Sequence, residues 1–124
     1  MPDSGDEPRR FPLPREGRLL SPEFIRVFRQ GRSYLSPYFL LFCLKSGEGR
    51  KLGIVVKKRS VAHAVDRNRL KRCFREAYRR LRPQLRADCL LVVLARKEAI
   101  RETQPVLEQA LRRSLEEASV LPRA

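Results

Sequence analysis

"LGIVVKKRSVAHAVDRNRLKRCFREAYRR", residues 52–80, contains the change of hydrophobic period that decides the fold. Its first part carries Leu52, Ile54, Val55 and Val56 and reads as a strand over 51–57. Beyond Asp66 the apolar residues fall instead at Leu70, Phe74, Ala77 and Leu81, with Cys73 and Tyr78 at the edges. That is the spacing of one helix face, and Pro83 ends the helix. Seven of the fifteen residues from 66 to 80 are Arg or Lys. On a helical wheel at about 100° per residue, Lys71, Arg82, Arg75, Asn68, Arg79 and Arg72 form an arc beside the apolar face. No acid interrupts the arc; Glu76 lies beyond it, separating it from Arg69 and Arg80. Like charges one turn apart, Lys71/Arg75 and Arg75/Arg79, cost an isolated helix about 0.2–0.5 kcal/mol per pair. A helix selected only to fold would intersperse Glu among them. The arc is therefore better explained as a phosphate-binding surface than as a solvated face with long stems over the core edge. Arginine suits that task, because its planar fork donates two bonds at once and is weakly hydrated.

Outward from this stretch, the order of elements reads α-β-β-β-α-β-α, an α+β fold in one domain with a mixed four-stranded sheet. Residues 1–17, rich in Pro, Gly and charge, read as a flexible N-terminal arm. The domain spans 18–118, and 119–124 are a C-terminal tail. Ser21-Pro22-Glu23 is a helix start, with a hydroxyl cap, proline at the first position and an acid in the first turn. Phe24, Val27 and Phe28 share a face of that helix, and Gly31 stops it. A short strand over 33–36 breaks at Pro37, and residues 38–44 form a second. The turn at 46–49 suggests that this strand and 51–57 pair as a hairpin. Residues 89–94 are apolar throughout, as in a strand buried on both sides. Thr103 caps a last helix with Val106, Leu107, Ala110, Leu111 and Leu115 inward.

The 124 residues carry 28 basic and 14 acidic side chains, a net charge of +14. Residues 50–82 hold 13 of the basic groups and only Asp66 and Glu76 as acids, so +11 of the charge sits in a quarter of the chain. The partner is polyanionic and contacts mainly this segment, nucleic acid before an anionic membrane. Three cysteines, Cys43, Cys73 and Cys89, are too few and too dispersed for a zinc motif. They read as reduced thiols of a cytoplasmic protein, Cys73 and Cys89 as core. Protein-based phosphodiester hydrolysis needs clustered carboxylates for metals or paired histidines. The chain has one histidine, His63, a loop or phosphate-contacting group, and Asp66 reads as a helix cap. No catalytic residue and no protein-held metal is expected. Single strands favour aromatic platforms beside a basic groove. Phe24, Phe28 and Phe42 are candidates, although by pattern alone they fit the core better. Tyr34, Tyr38 and Phe39 read as packing.

The run Arg67-Asn68-Arg69-Leu70-Lys71-Arg72-Cys73-Phe74-Arg75-Glu76 resembles the RNRxKRxxRE signature of the bacterial ribonuclease P protein component. Phe24 to Gly31 is similar to that family's FxxVFxxG first helix, and residues 88–96 to its last strand. The resemblance covers roughly residues 18–118. The chain departs from the family pattern by one residue missing just before Phe24, by Lys57 where Ser or Ala is commoner, and by the arm.

The resemblance implies a small protein partner of a large catalytic RNA. Together the two remove the 5′ leader from precursor tRNA, and RNA-associated Mg²⁺ does the chemistry. It implies that Arg67, Asn68, Arg69, Lys71, Arg72, Arg75 and Arg79 contact the catalytic RNA. Phe24, Phe28, Phe42, Lys57 and Lys58 would line a cleft for the single-stranded leader. It further implies a left-handed β-α-β crossover and a 1:1 ribonucleoprotein with monomeric protein. A structural or ribosomal-type RNA-binding protein is the alternative. A DNA-binding regulator would need a helix-turn-helix pair and a dimerising apolar helix, which the sequence lacks. No membrane partner is expected.

Overall fold

In a computed structural model, residues 21–47 and 49–122 are described. The arm at 1–17 and the side chain of Ser21 fall outside the description. The elements in chain order are α1 (Ser21–Gln30), β1 (Arg32–Leu35), β2 (Phe39–Lys45), β3 (Arg50–Val55), α2 (Ala64–Leu81), β4 (Cys89–Ala95) and α3 (Gln104–Glu117). Short 3₁₀ turns occupy Arg82–Gln84 and Lys97–Arg101.

The sheet order is β1-β2-β4-β3. β4 pairs antiparallel with β2 and parallel with β3. The hairpin expected between β2 and β3 therefore does not form: β4 lies between them. Its uncharged sequence, CLLVVLA, belongs at the centre, whereas β3 begins with Arg50 and Lys51 and tolerates an edge. The link between β2 and β3 is short but long enough. Next-but-one strands lie roughly 10 Å apart, within reach of a few extended residues.

Alternation along the central strands builds two unequal layers. Phe39, Leu41, Cys43, Leu91, Val93 and Ala95 meet α2 and α3 in one large core that includes Leu70, Phe74, Tyr78, Leu107, Leu111 and Leu115. Phe39 and Phe74 meet edge-to-face there, centroids 5.5 Å apart. On the other face Leu90 and Val92 cluster with Val27 and Phe24 of α1, and α1 is the one helix in that cluster among the described residues. No helix among the described residues is long and apolar enough to cross a membrane.

Several local expectations change. α2 begins at Ala64, with His63 as N-cap and the first turn closed by Arg67 N–H to the His63 carbonyl (3.0 Å). Asp66 is thus not the cap; it stands in the first turn, where its negative charge favours the helix dipole. Val106 is 38% exposed rather than inward, and Thr103, though the N-cap of α3, makes no side-chain capping bond. Val120 and Leu121, read as tail, are buried in the main core, and Arg86 N–H donates to the Val120 carbonyl (2.8 Å). Gly31 does end α1, through closeness rather than a left-handed turn. A Cβ there would lie 2.7 Å from the Val27 carbonyl oxygen and 3.0 Å from that of Cys43.

Candidate nucleic-acid interface

α1 lays its aromatic face across the thinly covered side of the sheet. Phe28 and Phe42 make an edge-to-face pair with centroids 4.9 Å apart. Phe24 and Phe42 are half-buried, but Phe28 is 43% exposed. Lys51 Nζ bonds Glu23 Oε2 at 2.8 Å and fastens α1 to β3, which spends one cation of the basic segment inside the fold. The three phenylalanines nominated from sequence do come together, as one patch that is part core and part surface.

Two residues along β2 and β4 from the Phe42–Val92 pair stand Leu40 and Leu94, about 7 Å further toward the end of the sheet. They floor an open concavity of about 420 Å³ lined also by Lys57, Arg59, Ser60, Arg96, Lys97 and Glu98. It lies beyond the carboxyl ends of the parallel strands β3 and β4, where loops from adjacent strands diverge and leave a crevice. Lys57 lines it; Lys58 is exposed on the same turn. Arg59, Arg96 and Lys97 are not among the residues that the sequence nominates. A signal for them exists: each follows a parallel strand within a few residues. It becomes usable only once β3 and β4 are known to be neighbours.

The seven polar residues singled out on α2 divide into two groups. Asn68, Arg72, Arg75 and Arg79 recur every three or four residues and make one stripe about 16 Å long, with Asn68, Arg72 and Arg79 exposed. Lys71 is buried beside them, and its pKa lies below the ordinary lysine value, first through burial and then through the nearby Arg75 charge. Arg67 and Arg69 point elsewhere. Arg67 Nη1 donates to the carbonyls of Val61 (3.0 Å) and Ala62 (2.8 Å). Arg69 donates to the carbonyls of Glu102 (3.1 Å) and Ile100.

Glu76 corrects the wheel. It does not merely bound the arc; it turns onto Arg79, with Nε–Oε1 at 3.0 Å and Nη2–Oε2 at 2.6 Å. The bond from Arg79 holds the Glu76 carboxyl below its usual range and raises the Arg79 guanidinium in turn. One cation of the stripe is thereby partly neutralised. Arg80 pairs with Glu108 at 3.2 Å, outside the stripe.

Among the described residues no three His, Cys, Asp or Glu side chains gather where they could hold a metal. Cys43 and Cys89 are buried and unbridged; mutual hydrogen bonding and burial push the Cys89 thiol upward.

A family model described as Ribonuclease P matches residues 13–119. The ribonuclease P protein component of Dictyoglomus thermophilum is 46% identical over 88 residues, covering 69% of this chain and 72% of that protein. The one from Shouchella clausii is 42% identical over 98 residues, covering 74% and 80%. Among solved structures, the RNase P protein from Thermotoga maritima superimposes with a TM-score of 0.72 at 31% identity, covering 81% of this chain and 96% of that one. The Staphylococcus aureus RNase P protein gives 0.76 at 27%, covering 86% and 98%. An α+β sheet with three helices in this order, an RNR-led basic helix and these matches agree: the chain belongs to the ribonuclease P protein family.

Proposed function

We propose that this chain is the protein subunit of a ribonuclease P holoenzyme, an endoribonuclease that matures the 5′ end of tRNA in the cytoplasm. Its partners are the catalytic RNA and precursor tRNA, in a 1:1 ribonucleoprotein. The stripe Asn68, Arg72, Arg75 and Arg79 faces the catalytic RNA, where fixed guanidinium groups displace counterions from phosphates. The patch of Phe24, Phe28 and Phe42, continuing over Leu40 and Leu94 to Lys57, Lys58, Arg96 and Lys97, takes the unpaired leader. Rings and apolar floor accept bases of any kind, and the cations meet the backbone.

The observation that carries this reading is the continuity of a half-exposed aromatic pair with a basic concavity on one face of the sheet. The hydrolytic chemistry is supplied by Mg²⁺ held by the RNA. The described residues offer no carboxylate cluster suited to a metal of their own. The protein's part is to bind, to orient the leader and to lower phosphate repulsion.

The test is to add the purified chain to catalytic RNA and precursor tRNA at low Mg²⁺. Cleavage should accelerate most where Mg²⁺ is scarce, and the protein alone should cut nothing. RNA binding without any acceleration would instead identify a structural RNA-binding protein. Metal-dependent cleavage by rigorously RNA-free protein would refute the reading altogether.

A further inference from the structure

Arg67 and Arg69 stand two residues apart in the first turns of α2, yet their guanidinium groups reach to opposite sides. Arg67 grips the carbonyls of Val61 and Ala62. Those residues close the turn in which Ser60 N–H and Val61 N–H both bond the Lys57 carbonyl (3.1 and 2.9 Å). Lys57, Arg59 and Ser60 of that turn are one wall of the concavity. Arg69 grips the carbonyls of Ile100 and Glu102, at the end of the 3₁₀ turn Lys97–Arg101. Arg96, Lys97 and Glu98 at the start of that turn are the opposite wall. A short 3₁₀ turn leaves its last carbonyls without internal partners, so a fixed cation there both satisfies and anchors them.

We infer that Arg67 and Arg69 are positioning residues for the leader groove: they brace its two basic walls from beneath, through the first turns of α2. The inference rests on the leader reading given above. It also separates the duties within one motif. Asn68, between the two arginines, is exposed on the outer stripe, while its neighbours spend their donors on backbone carbonyls. The helix that presents the RNA-facing stripe is the same body that spaces the walls of the groove.

Charge and shape make different predictions for Arg69. A residue that contacts RNA phosphate as a cation loses little on replacement by Lys, and its removal lowers the slope of log K against log salt by about 0.9. A brace needs the planar fork, because Nη1 and Nη2 of Arg69 each take one carbonyl, whereas a lysine carries all its donors on a single nitrogen. The experiment uses the full chain reconstituted with catalytic RNA, comparing wild type, Arg69→Ala, Arg69→Lys and Arg67→Ala. Three quantities are measured: affinity and salt slope for the catalytic RNA, holoenzyme affinity for precursor tRNA with a long leader, and affinity for leaderless tRNA.

The expected result is that Arg69→Ala and Arg69→Lys both lower the leader-dependent gain in affinity by roughly fivefold or more, the loss of about one base contact. Arg67→Ala should lower it in the same direction from the other wall. The salt slope for catalytic RNA stays at the wild-type value. Amide hydrogen exchange should rise at Ala99 and Glu102 in the Arg69 variants while the amides of α3 stay protected. If Arg69→Ala melts below the assay temperature, Arg69→Lys decides the matter by the same criteria. A leader preference that survives in the variants, with a salt slope reduced by about 0.9 in Arg69→Ala, overturns the inference and returns Arg69 to direct phosphate contact. A wild-type holoenzyme with no leader preference overturns the leader reading, and this inference with it.

Discussion

The two faces of the sheet are made from the same kind of strand and end in opposite conditions. On the face under α2 and α3, Phe39, Leu41, Leu91 and Val93 are completely buried. On the face under α1, Phe42, Leu40 and Leu94 keep part of their surface, and Phe28 of α1 itself is 43% exposed. Both sides of β2 and β4 are apolar, so hydropathy does not tell them apart. The amount of cover does: among the described residues, two helices of 18 and 14 residues against one of 10. What is left over where cover runs out is a flat, half-dry surface rimmed by cations, which suits an unpaired polynucleotide.

The largest effect that tests this contrast is Phe74→Ala. Phe74 is fully buried and meets Phe39 edge-to-face, so truncation should cost about 3–5 kcal/mol through a core cavity. Thermal melts should show it, while RNA affinity measured well below the melting temperature stays close to wild type. A variant that melts normally would mean that the covered face does not hold the main core. Phe28→Ala probes the other face. It should weaken holoenzyme binding of long-leader precursor tRNA by about 1–3 kcal/mol, one stacked base, and leave leaderless tRNA unchanged. Equal losses on both substrates, in step with a lowered melting temperature, would make the two faces alike.

Arg72→Ala sharpens the comparison on the helix rather than the sheet. Arg72 is exposed, so stability should move by less than about 0.5 kcal/mol. The salt slope for catalytic RNA should fall by about 0.9, one phosphate contact. An early melt with normal RNA binding would reverse the assignment of α2's faces. The smallest expected effect concerns Glu76. Arg79 holds its carboxyl below the ordinary value, so the native state favours the ionised form. The resulting stability is present above the unfolded value of 4.5 and is lost as pH falls through the lowered one. Glu76→Gln should therefore lower the melting temperature slightly at neutral pH and leave it nearly unchanged at acid pH, so that the acid limb of the profile flattens. It should also strengthen catalytic-RNA binding, since Arg79 is released.

Most elements are legible in the chain alone. The switch from period two to the helical period near Asp66, the uncharged run CLLVVLA and the helix ends near Gly31 and Pro83 are local signals, and the elements follow them to within a few residues. The expected hairpin fails because a short turn between two strands is local evidence, whereas the strand that separates them arrives some forty residues later. Val106 faces outward because a helical face fixes only direction, and no core closes over that flank of α3 among the described residues.

By itself the sequence determined the class of fold, the concentration of charge on one segment and the polyanionic partner that such charge demands. Those depend on residue type and spacing along the chain. Only the tertiary structure decided that both arginines of the RNR motif hold carbonyls while Asn68 between them faces outward, because a guanidinium's partner is set by what the fold brings beside it. It also decided that Arg59, Arg96 and Lys97 share a groove with Lys57. Residues some forty positions apart become two walls of one site only when β4 pairs in parallel with β3, so that the loops leaving both strands emerge at the same end of the sheet.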